Sequence, residues 1–272
     1  TEDLTYKFNF GIDRSVATRR ASLSRNLDIN GIRFDTGTGL NGGRAEINQL
    51  SLFSKTFEHT LNYIKDINDD LNVNVLAGYA YQELTARGST AVGTNIDLDP
   101  GNDVDFLGGF SERSISSFRD PNNELESYFA RVNLSAYGGK YLFTGTIRAD
   151  GSSKFGDNSK WGYFPAFAVA WRISDEDFAP DFFNELKLRA GWGQTGNQEF
   201  PAGASQERFS IGFDSNGNTT STLVNVANPD LQWETTTTTN IGIDFAFAGN
   251  KISGSIDYFY KETEDLLFQI DV

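Results

Sequence analysis

Apolar and polar residues alternate along much of the chain, which is the pattern of β-strands whose two faces meet different surroundings. In residues 141–150, Tyr141, Phe143 and Ile147 fall on one face, and Thr144 and Thr146 fall on the other. The same alternation predicts nine strands, one of them a less regular stretch at 46–66. The apolar positions of the other eight span residues 6–12, 73–81, 128–136, 141–147, 167–171, 186–192, 241–247 and 252–260.

The predicted connections alternate between tight turns and long polar segments. The tight turns are "INDD" (67–70), "GGK" (138–140) and "AGN" (248–250), and the long segments are 16–45, 87–124, 151–161 and 195–232. The one longer link on the short side, "SDEDFAPDFFNE" (174–185), has room for a helical turn. Short turns at one edge and long loops at the other are typical of an up-and-down transmembrane β-barrel.

Strand length and aromatic placement favour the same architecture. Runs such as 140–150 and 185–194 have the ~9 to 11 residues that a tilted strand needs to cross a bilayer. Aromatic residues near the predicted strand ends would form two interfacial girdles, Tyr141 and Trp171 at the short-turn edge and Tyr81, Trp192 and Tyr260 at the long-loop edge. A soluble β-sandwich whose aromatic residues form the core stays open as the alternative.

Composition narrows the classes of function. The 272 residues carry 23 Lys and Arg against 37 Asp and Glu, and a net charge of -14 argues against a nucleic-acid partner. No cysteine is present, which excludes disulfides, zinc–thiolate sites and thiol catalysis. No run approaches the ~18 apolar residues of a membrane helix. The absence of methionine leads us to expect a mature or internal piece of a longer chain.

Four consecutive blocks of the second half resemble SusC/RagA-type TonB-dependent transporters, whereas residues 1–147 match them only in strand pattern. The blocks are "RADGSSKFGDNSKWGYFPAFAVAWRISDE" (148–176), "LKLRAGWGQTGN" (186–197), "NPDLQWETTTTTNIGIDF" (228–245) and "ISGSIDYFYKETEDLL" (252–267). The resemblance implies an all-β fold, in which residues 1–272 form about nine strands of a roughly 22-stranded barrel with short periplasmic turns and long extracellular loops. It also implies that a plug domain and closing strands belong to the full protein outside this sequence.

For function, the resemblance implies active import of oligosaccharides or oligopeptides across the outer membrane of a Gram-negative, Bacteroidetes-type bacterium. The implied partners are a SusD-like surface lipoprotein acting as a lid, the TonB complex, which would engage the missing N-terminal region, and outer-membrane lipid. Two alternatives remain open. One is a soluble or surface-attached β-sandwich lectin or adhesin, and the other is a lid-free TonB-dependent importer of siderophores or other chelates.

Little in the sequence points to catalysis. The single histidine, His59, stands beside Glu58 without a nucleophile motif, and the Gly-rich segment 37–44 lacks the Lys-Ser/Thr ending of a phosphate loop. We therefore expect neither an enzyme nor a cofactor. The acidic segment "DLDPGNDVD" is a speculative calcium site, with a solvated acidic loop as the alternative; its carboxylates are Asp97, Asp99, Asp103 and Asp105.

Candidate solute contacts are loop aromatics and polar side chains of the lumen wall. Trp161, Phe106 and Phe110 would stack on sugar rings or pack on peptide side chains. The candidate hydrogen-bonding residues of the wall are Arg148, Asp150, Lys187 and Arg189. The alternatives are that the aromatics pack their own loop or a partner protein, and that the wall charges pair with a plug or with each other.

Overall fold

The computed structural model describes residues 3–23, 28–29, 32–33, 43–95, 106–214 and 216–267. These residues form 14 strands and two single-turn 3-10 helices, Leu107–Gly109 and Ile173–Asp175. Among them no helix is long and apolar enough to cross a membrane. The strands are β1 (Leu4–Leu23), β2 (Asp28–Ile29), β3 (Ile32–Arg33), β4 (Arg44–Asn68), β5 (Leu71–Thr94), β6 (Glu112–Arg119), β7 (Asn123–Ala136), β8 (Tyr141–Ser152), β9 (Trp161–Arg172), β10 (Phe183–Asn197), β11 (Arg208–Phe213), β12 (Thr219–Asn225), β13 (Glu234–Phe247) and β14 (Ile252–Glu264).

Nine strands pair in the order β1-β4-β5-β7-β8-β9-β10-β13-β14, and β6 pairs with β5 off this path. These nine are the strands that the sequence predicts, and from β7 to β14 each neighbouring pair is antiparallel. The hairpins β2–β3 and β11–β12 lie within long predicted connections, as does β6. The up-and-down antiparallel arrangement of a β-barrel is therefore confirmed, although the nine strands do not close into a barrel.

The chain divides into two compact units. One contains residues 1–10, 56–83 and 123–272, and the other contains residues 11–55 and 84–122. Strands β1, β4 and β5 contribute residues to both units and are 20, 25 and 24 residues long. Since ~9 to 11 residues cross a bilayer, much of each of these strands must lie outside it.

The tight turns predicted at the short-turn edge are confirmed. Between β7 and β8, Gly138 and Gly139 have φ values of 67° and 90°. Between β13 and β14, Gly249 has a φ of 68°. This left-handed backbone is open to glycine without steric cost, which explains why "GGK" and "AGN" reverse the chain so sharply.

Cross-strand register in the first unit separates the two faces as the alternation predicts. One row that crosses six strands is apolar: Leu134, Phe143, Val169, Ala190, Ile241 and Tyr258. A second row lies three residues away along each strand and therefore on the opposite face. Its residues are polar or small: Arg131, Thr146, Ala166, Gly193, Thr238 and Lys261. Successive side chains of a strand point to opposite faces, so a one-residue shift in pairing would mix apolar and polar residues in both rows.

The apolar face is exposed rather than packed into a core. Phe167 and Ile256 are 51% and 68% exposed. In the described part of the chain no second sheet covers them, as a β-sandwich would require, and the small hairpins β2–β3 and β11–β12 form separate sheets. A continuous apolar face of this kind suits contact with lipid, so the structure does not support the β-sandwich alternative.

A row of ring contacts crosses the apolar face of the first unit. Phe8 lies 4.8 Å from His59 between ring centroids, His59 lies 6.3 Å from Tyr79, and Tyr79 lies 5.1 Å from Tyr128. Trp161 continues the row at 6.0 Å from Tyr128. Amphipathic rings at one level of a lipid-facing sheet form the aromatic girdle of a membrane interface. His59 belongs to this girdle, where its Nδ1 lies 2.7 Å from the Tyr6 hydroxyl.

Glu176 ties together the short-turn edge between β9 and β10. The predicted helical turn is present at Ile173–Asp175, and the Glu176 carboxylate that follows accepts hydrogen bonds from the Tyr141 hydroxyl and from Trp171 Nε1, the latter at 2.9 Å. Lys140 Nζ lies 3.1 Å from the same carboxylate. Tyr141 and Trp171 are cross-strand partners, so this single carboxylate orients both aromatic residues of the predicted short-turn girdle.

We expect Glu176 to make stability depend on acidity. Hydrogen bonds from Tyr141 and then from Trp171 hold the pKa of its carboxyl below the ordinary value of 4.5. A lowered folded-state pKa stabilises the fold above the unfolded pKa, and this contribution is lost as the pH falls through the folded pKa. The unfolding free energy of the full barrel in lipid, minus that of the Glu176→Gln variant, should be constant above about pH 5 and should shrink below it. A difference that stays flat down to acid unfolding would contradict this role.

The assignment of faces predicts opposite outcomes at two adjacent residues. Phe167→Arg puts a cation into lipid near mid-strand and should cost ~2 to 4 kcal/mol of barrel stability. Ala168→Arg should cost far less, because Ala168 lies on the polar face between Thr144 and Gly191. Reversible unfolding of the full barrel in lipid measures both variants, and equal losses would refute the orientation.

Candidate functional site on the polar face

Two of the predicted wall residues, Arg148 and Asp150, form a closed ion pair. Arg148 Nε lies 2.8 and 2.7 Å from the two carboxylate oxygens of Asp150, and Arg148 Nη2 donates a hydrogen bond to Ser127 Oγ at 2.9 Å. Asp150 and Ser127 are buried, and the guanidinium also lies 5.7 Å from the Phe129 ring centroid. Each group therefore has its partner within the wall, and the pair carries no net charge.

The other two predicted wall residues meet a second ion-pair cluster on β10, β13 and β14. Arg189 binds Asp244 through two hydrogen bonds of 2.8 Å, and its Nη2 lies 3.1 Å from Asp257 Oδ1. Lys187 Nζ lies 3.4 Å from Asp244. The cluster holds two cations and two carboxylates, so it is electrically balanced. This arrangement favours the alternative that the wall charges pair with each other.

Gly242 allows this cluster to form. It stands opposite Arg189 on one side and opposite Asp257 on the other. A Cβ at this position would lie 2.4 Å from Asp257 Oδ1 and 2.8 Å from Arg189 Nη2. Glycine at 242 thus leaves the space in which the arginine and the aspartate meet. The sequence did not reveal Asp244 and Asp257 as partners, because the pairing depends on the register of three strands.

A recess of about 280 Å³ lies beside this cluster on the same unit. Its lining includes the small residues Ala168, Ala170 and Gly191. Lys187 and Arg189 line it as well. Small side chains keep the polar face open at this level.

Trp161 is not a loop residue, which corrects the sequence-based assignment. It is the first residue of β9, it pairs with Gly151, and it lies on the face of Tyr163 and Phe167. A Cβ on Gly151 would lie 2.9 Å from the indole ring, so the ring covers that glycine. The expectation of a solute contact took Trp161 for the end of a loop, whereas the structure makes it part of the aromatic girdle.

The other two predicted aromatics differ from each other. Phe106 is exposed, as a surface contact would require. Phe110 is only 2% exposed and packs with Ala45 and Leu107 in a small core of the second unit. The structure favours for Phe110 the alternative of packing its own loop.

A second core joins two of the sequence blocks at the long-loop edge of the first unit. Phe155 and Phe164 lie 4.5 and 5.3 Å from Trp233 between ring centroids, and all three are buried. Trp233 Nε1 donates a hydrogen bond to the Lys160 carbonyl at 3.1 Å. Leu125, Phe200, Leu231 and Leu267 pack against this cluster. Phe155 and Phe164 of "SKFGDNSKWGYF" and Trp233 of "NPDLQW" therefore anchor the long connections to one another.

Gly156 brings the two connections together. Its backbone N–H donates to the Leu231 carbonyl at 3.1 Å, and a Cβ on Gly156 would lie 1.9 Å from the Pro229 carbonyl oxygen. No side chain fits there without moving backbone. The core was not predicted from the sequence, although the Gly and aromatic content of both blocks was a visible signal.

The speculative calcium ligands lie outside the described residues, as do most residues of the Gly-rich segment 37–44. Within the described ranges no group of three or more His, Asp or Glu side chains is arranged to hold a metal ion. The candidate site of Asp97, Asp99, Asp103 and Asp105 stays a prediction.

Comparison with known proteins places this geometry in a family. Residues 1–272 match the family model described as "TonB dependent receptor-like, beta-barrel". TonB-dependent receptor P39 of Formosa agariphila is 34% identical over 236 residues, which are 85% of this chain and 22% of that protein. TonB-dependent receptor SusC of Bacteroides thetaiotaomicron is 39% identical over 160 residues, which are 55% of this chain and 16% of that protein.

A solved structure shares the fold. The structure of the RagAB peptide transporter aligns with a TM-score of 0.83 and 20% identity, over 100% of this chain and 29% of that chain. The chain thus spans about a fifth of the length of its curated relatives, 22% and 16% for the two named above. These matches confirm the resemblance to SusC/RagA-type proteins that the four sequence blocks carry.

The close approach at Gly156 predicts a local defect on substitution. Gly156→Ala forces the Pro229 backbone away from its present position and should cost ~1 to 3 kcal/mol through overpacking of the loop core. We expect faster proteolysis of the connection 198–233 in the folded barrel. Gly108→Ala is the matched control, because a Cβ there meets nothing within 4 Å. Equal proteolysis of both variants and the parent would show that the contact does not hold the connection.

Proposed function

Because the chain belongs to the TonB-dependent receptor-like β-barrel family, we propose that the full protein is an outer-membrane transporter that imports oligosaccharides or oligopeptides with energy from TonB. Residues 1–272 supply part of the barrel wall and several extracellular loops. In the full protein, further strands close the barrel and a plug domain fills its lumen, and both belong to parts of the protein outside this sequence. The observation that carries the proposal is a sheet with one continuous apolar face and one polar face, in a chain that the family model matches from end to end.

The two faces of the sheet have different surroundings in such a transporter. Lipid covers the apolar face, and the polar face lines a lumen wide enough to require a plug. The balanced pairs Arg148–Asp150 and Arg189–Asp244 leave little net charge on this part of the wall. A neutral, hydrogen-bonding wall lets a bulky polar solute pass without being held at one place.

We infer the chemical class of the solute from the related proteins and from the side chains of the polar face. The RagAB structure is that of a peptide transporter, which supports an oligopeptide. Amide and hydroxyl side chains on the polar face suit the hydroxyl groups of an oligosaccharide equally well. The family is one of receptors and transporters rather than enzymes, and we propose neither catalysis nor a cofactor.

The sequence resemblance implies a SusD-like surface lipoprotein that acts as a lid. The hairpin β11–β12 supports a protein contact at the long-loop edge. Ile211 and Phe213 are 66% and 75% exposed on one face of this hairpin. Phe209 and Leu223, which pair across it, extend the same exposed apolar face. Contiguous exposed apolar residues on an otherwise polar surface commonly mark a protein interface.

The function is tested by uptake into cells that carry the full-length protein. Uptake of oligopeptides or oligosaccharides should require both this protein and functional TonB. Uptake that persists unchanged without TonB would overturn the proposal. If only small metal chelates enter and no lipoprotein co-purifies, the lid-free importer becomes the better account.

The hairpin is tested in the same cells. The double variant Ile211→Ser, Phe213→Ser should reduce co-purification of the lipoprotein and uptake, while the amount of assembled barrel stays the same. The matched control is Ser210→Ala with Thr222→Ala, a facing pair on the other side of the hairpin. Parent-level lipoprotein binding by the first variant would exclude the hairpin from the lid interface.

A further inference from the structure

A larger recess opens on the polar face of the first unit, where β1, β4, β5 and β7 run side by side. Its volume is about 450 Å³, within the range of small-molecule sites. Each of the four strands contributes an asparagine to its lining, and two of them add a cation. The residues on which the argument rests are Asn9, Asn62, Asn74, Asn133, Lys7 and Arg131.

The two cations of this recess differ from the three cations of the ion-pair clusters on the polar face. Arg148, Lys187 and Arg189 each bind a carboxylate of the wall. Among the described residues, Lys7 and Arg131 form no ion pair, and both side chains are exposed. The recess also contains Glu58, whose carboxylate accepts a hydrogen bond from Asn9 Nδ2 at 3.3 Å, so the lining carries two cations and one carboxylate.

This arrangement stands out because the chain has an excess of acid. The 272 residues include 37 Asp and Glu against 23 Lys and Arg. An anionic solute approaching a chain of net charge -14 is repelled unless the path offers local positive charge. Lys7 and Arg131 outnumber the single carboxylate of Glu58, and neither of them is paired with it, so the recess offers that local positive charge.

We infer that this recess binds the carboxylate groups of an anionic oligomer on its way through the lumen. The inference rests on the proposed transport function and narrows its solute class. Arginine is suited to the task, since its planar guanidinium binds a carboxylate through two parallel hydrogen bonds. Lysine offers a second, more flexible point charge.

The dimensions of the recess suit an extended oligomer. Lys7 and Arg131 lie on β1 and β7, which are three strand spacings apart in the sheet order. At ~4.8 Å per spacing this is roughly 14 Å, the length of a few sugar or amino-acid units. The asparagine amides between the cations both donate and accept hydrogen bonds, so they match hydroxyl groups and peptide groups alike.

The experiment measures binding to the full-length transporter with four probes. N-acetylated pentaalanine is compared with its C-terminal amide, and pentagalacturonate with maltopentaose. A free carboxylate should strengthen binding in at least one of these pairs, and the pair that responds identifies a peptide or a glycan as its source. The preference should weaken as salt is added, because exposed charges are screened.

Arg131→Gln should weaken binding of the preferred carboxylate probe by about tenfold, since charge-assisted hydrogen bonds contribute more than neutral ones. Lys7→Gln should weaken it in the same direction. Binding of the uncharged partner probe should change little. Lys261→Gln is the matched control: Lys261 lies in the same cross-strand row as Arg131, on the same face, but outside the recess. It should leave the preference intact.

The outcomes separate this inference from the proposed function. Import of neutral oligomers with no carboxylate preference would overturn the inference and leave the transporter intact. Failure to bind or import any oligomer would overturn both. If Arg131→Gln leaves probe affinity unchanged but makes the plug domain more sensitive to protease, the cations seat the plug and the inference is wrong.

Discussion

The strands of this sheet pair in one register, and the separation of lipid face from lumen face depends on it. A slip of one residue in β10 would turn Lys187 and Arg189 toward lipid and bring Leu188 and Ala190 to the polar face. Each arginine or lysine moved to the bilayer midplane costs ~2 to 4 kcal/mol. The register is therefore specified by side chains on both faces at once. The ion-pair cluster of Arg189 with Asp244 and Asp257 adds a direct link across three strands.

The two edges of the sheet are held in different ways. At the short-turn edge, glycines reverse the chain and Glu176 binds Tyr141, Trp171 and Lys140. At the long-loop edge, the aromatic core around Trp233 gathers connections that would otherwise carry little buried surface. Loops that carry function need such support, because binding residues on them are only as well placed as the loop itself. The family-like blocks are thus partly a packing signature, since Phe155, Phe164 and Trp233 lie within them.

Charge on the polar face is distributed unevenly, and this is its main functional clue. Arg148 on β8 and Lys187 and Arg189 on β10 each bind an aspartate of β8, β13 or β14. Where β1 and β7 carry Lys7 and Arg131, amide side chains surround them instead. In the transporter that we propose, this wall is neutral at the two ion-pair clusters and selective at the recess of Lys7 and Arg131.

The sequence by itself determined the nine main strands, their two faces, the tight turns and the family. All of these follow from local features: the period of two, the position of glycines and the order of four motifs. It underestimated β1 and β5, which continue into the connections predicted at 16–45 and 87–124. Residues such as 13–23 are mostly polar and lose the alternation that marks a membrane strand.

Only the tertiary structure decided which side chains meet. Arg189 and its partners Asp244 and Asp257 are 55 and 68 residues apart in sequence, and Asn158 and Asp230 meet across 72. Trp161 was predicted at the end of a loop, yet the strand begins at that residue and its parity places it on the apolar face. The sequence predicts Phe110 to be a loop aromatic that contacts solute, but its side chain is buried beside Gly93. Contacts of this kind depend on pairing between distant strands and on packing within a loop. Neither of these produces a periodic pattern in the amino-acid sequence.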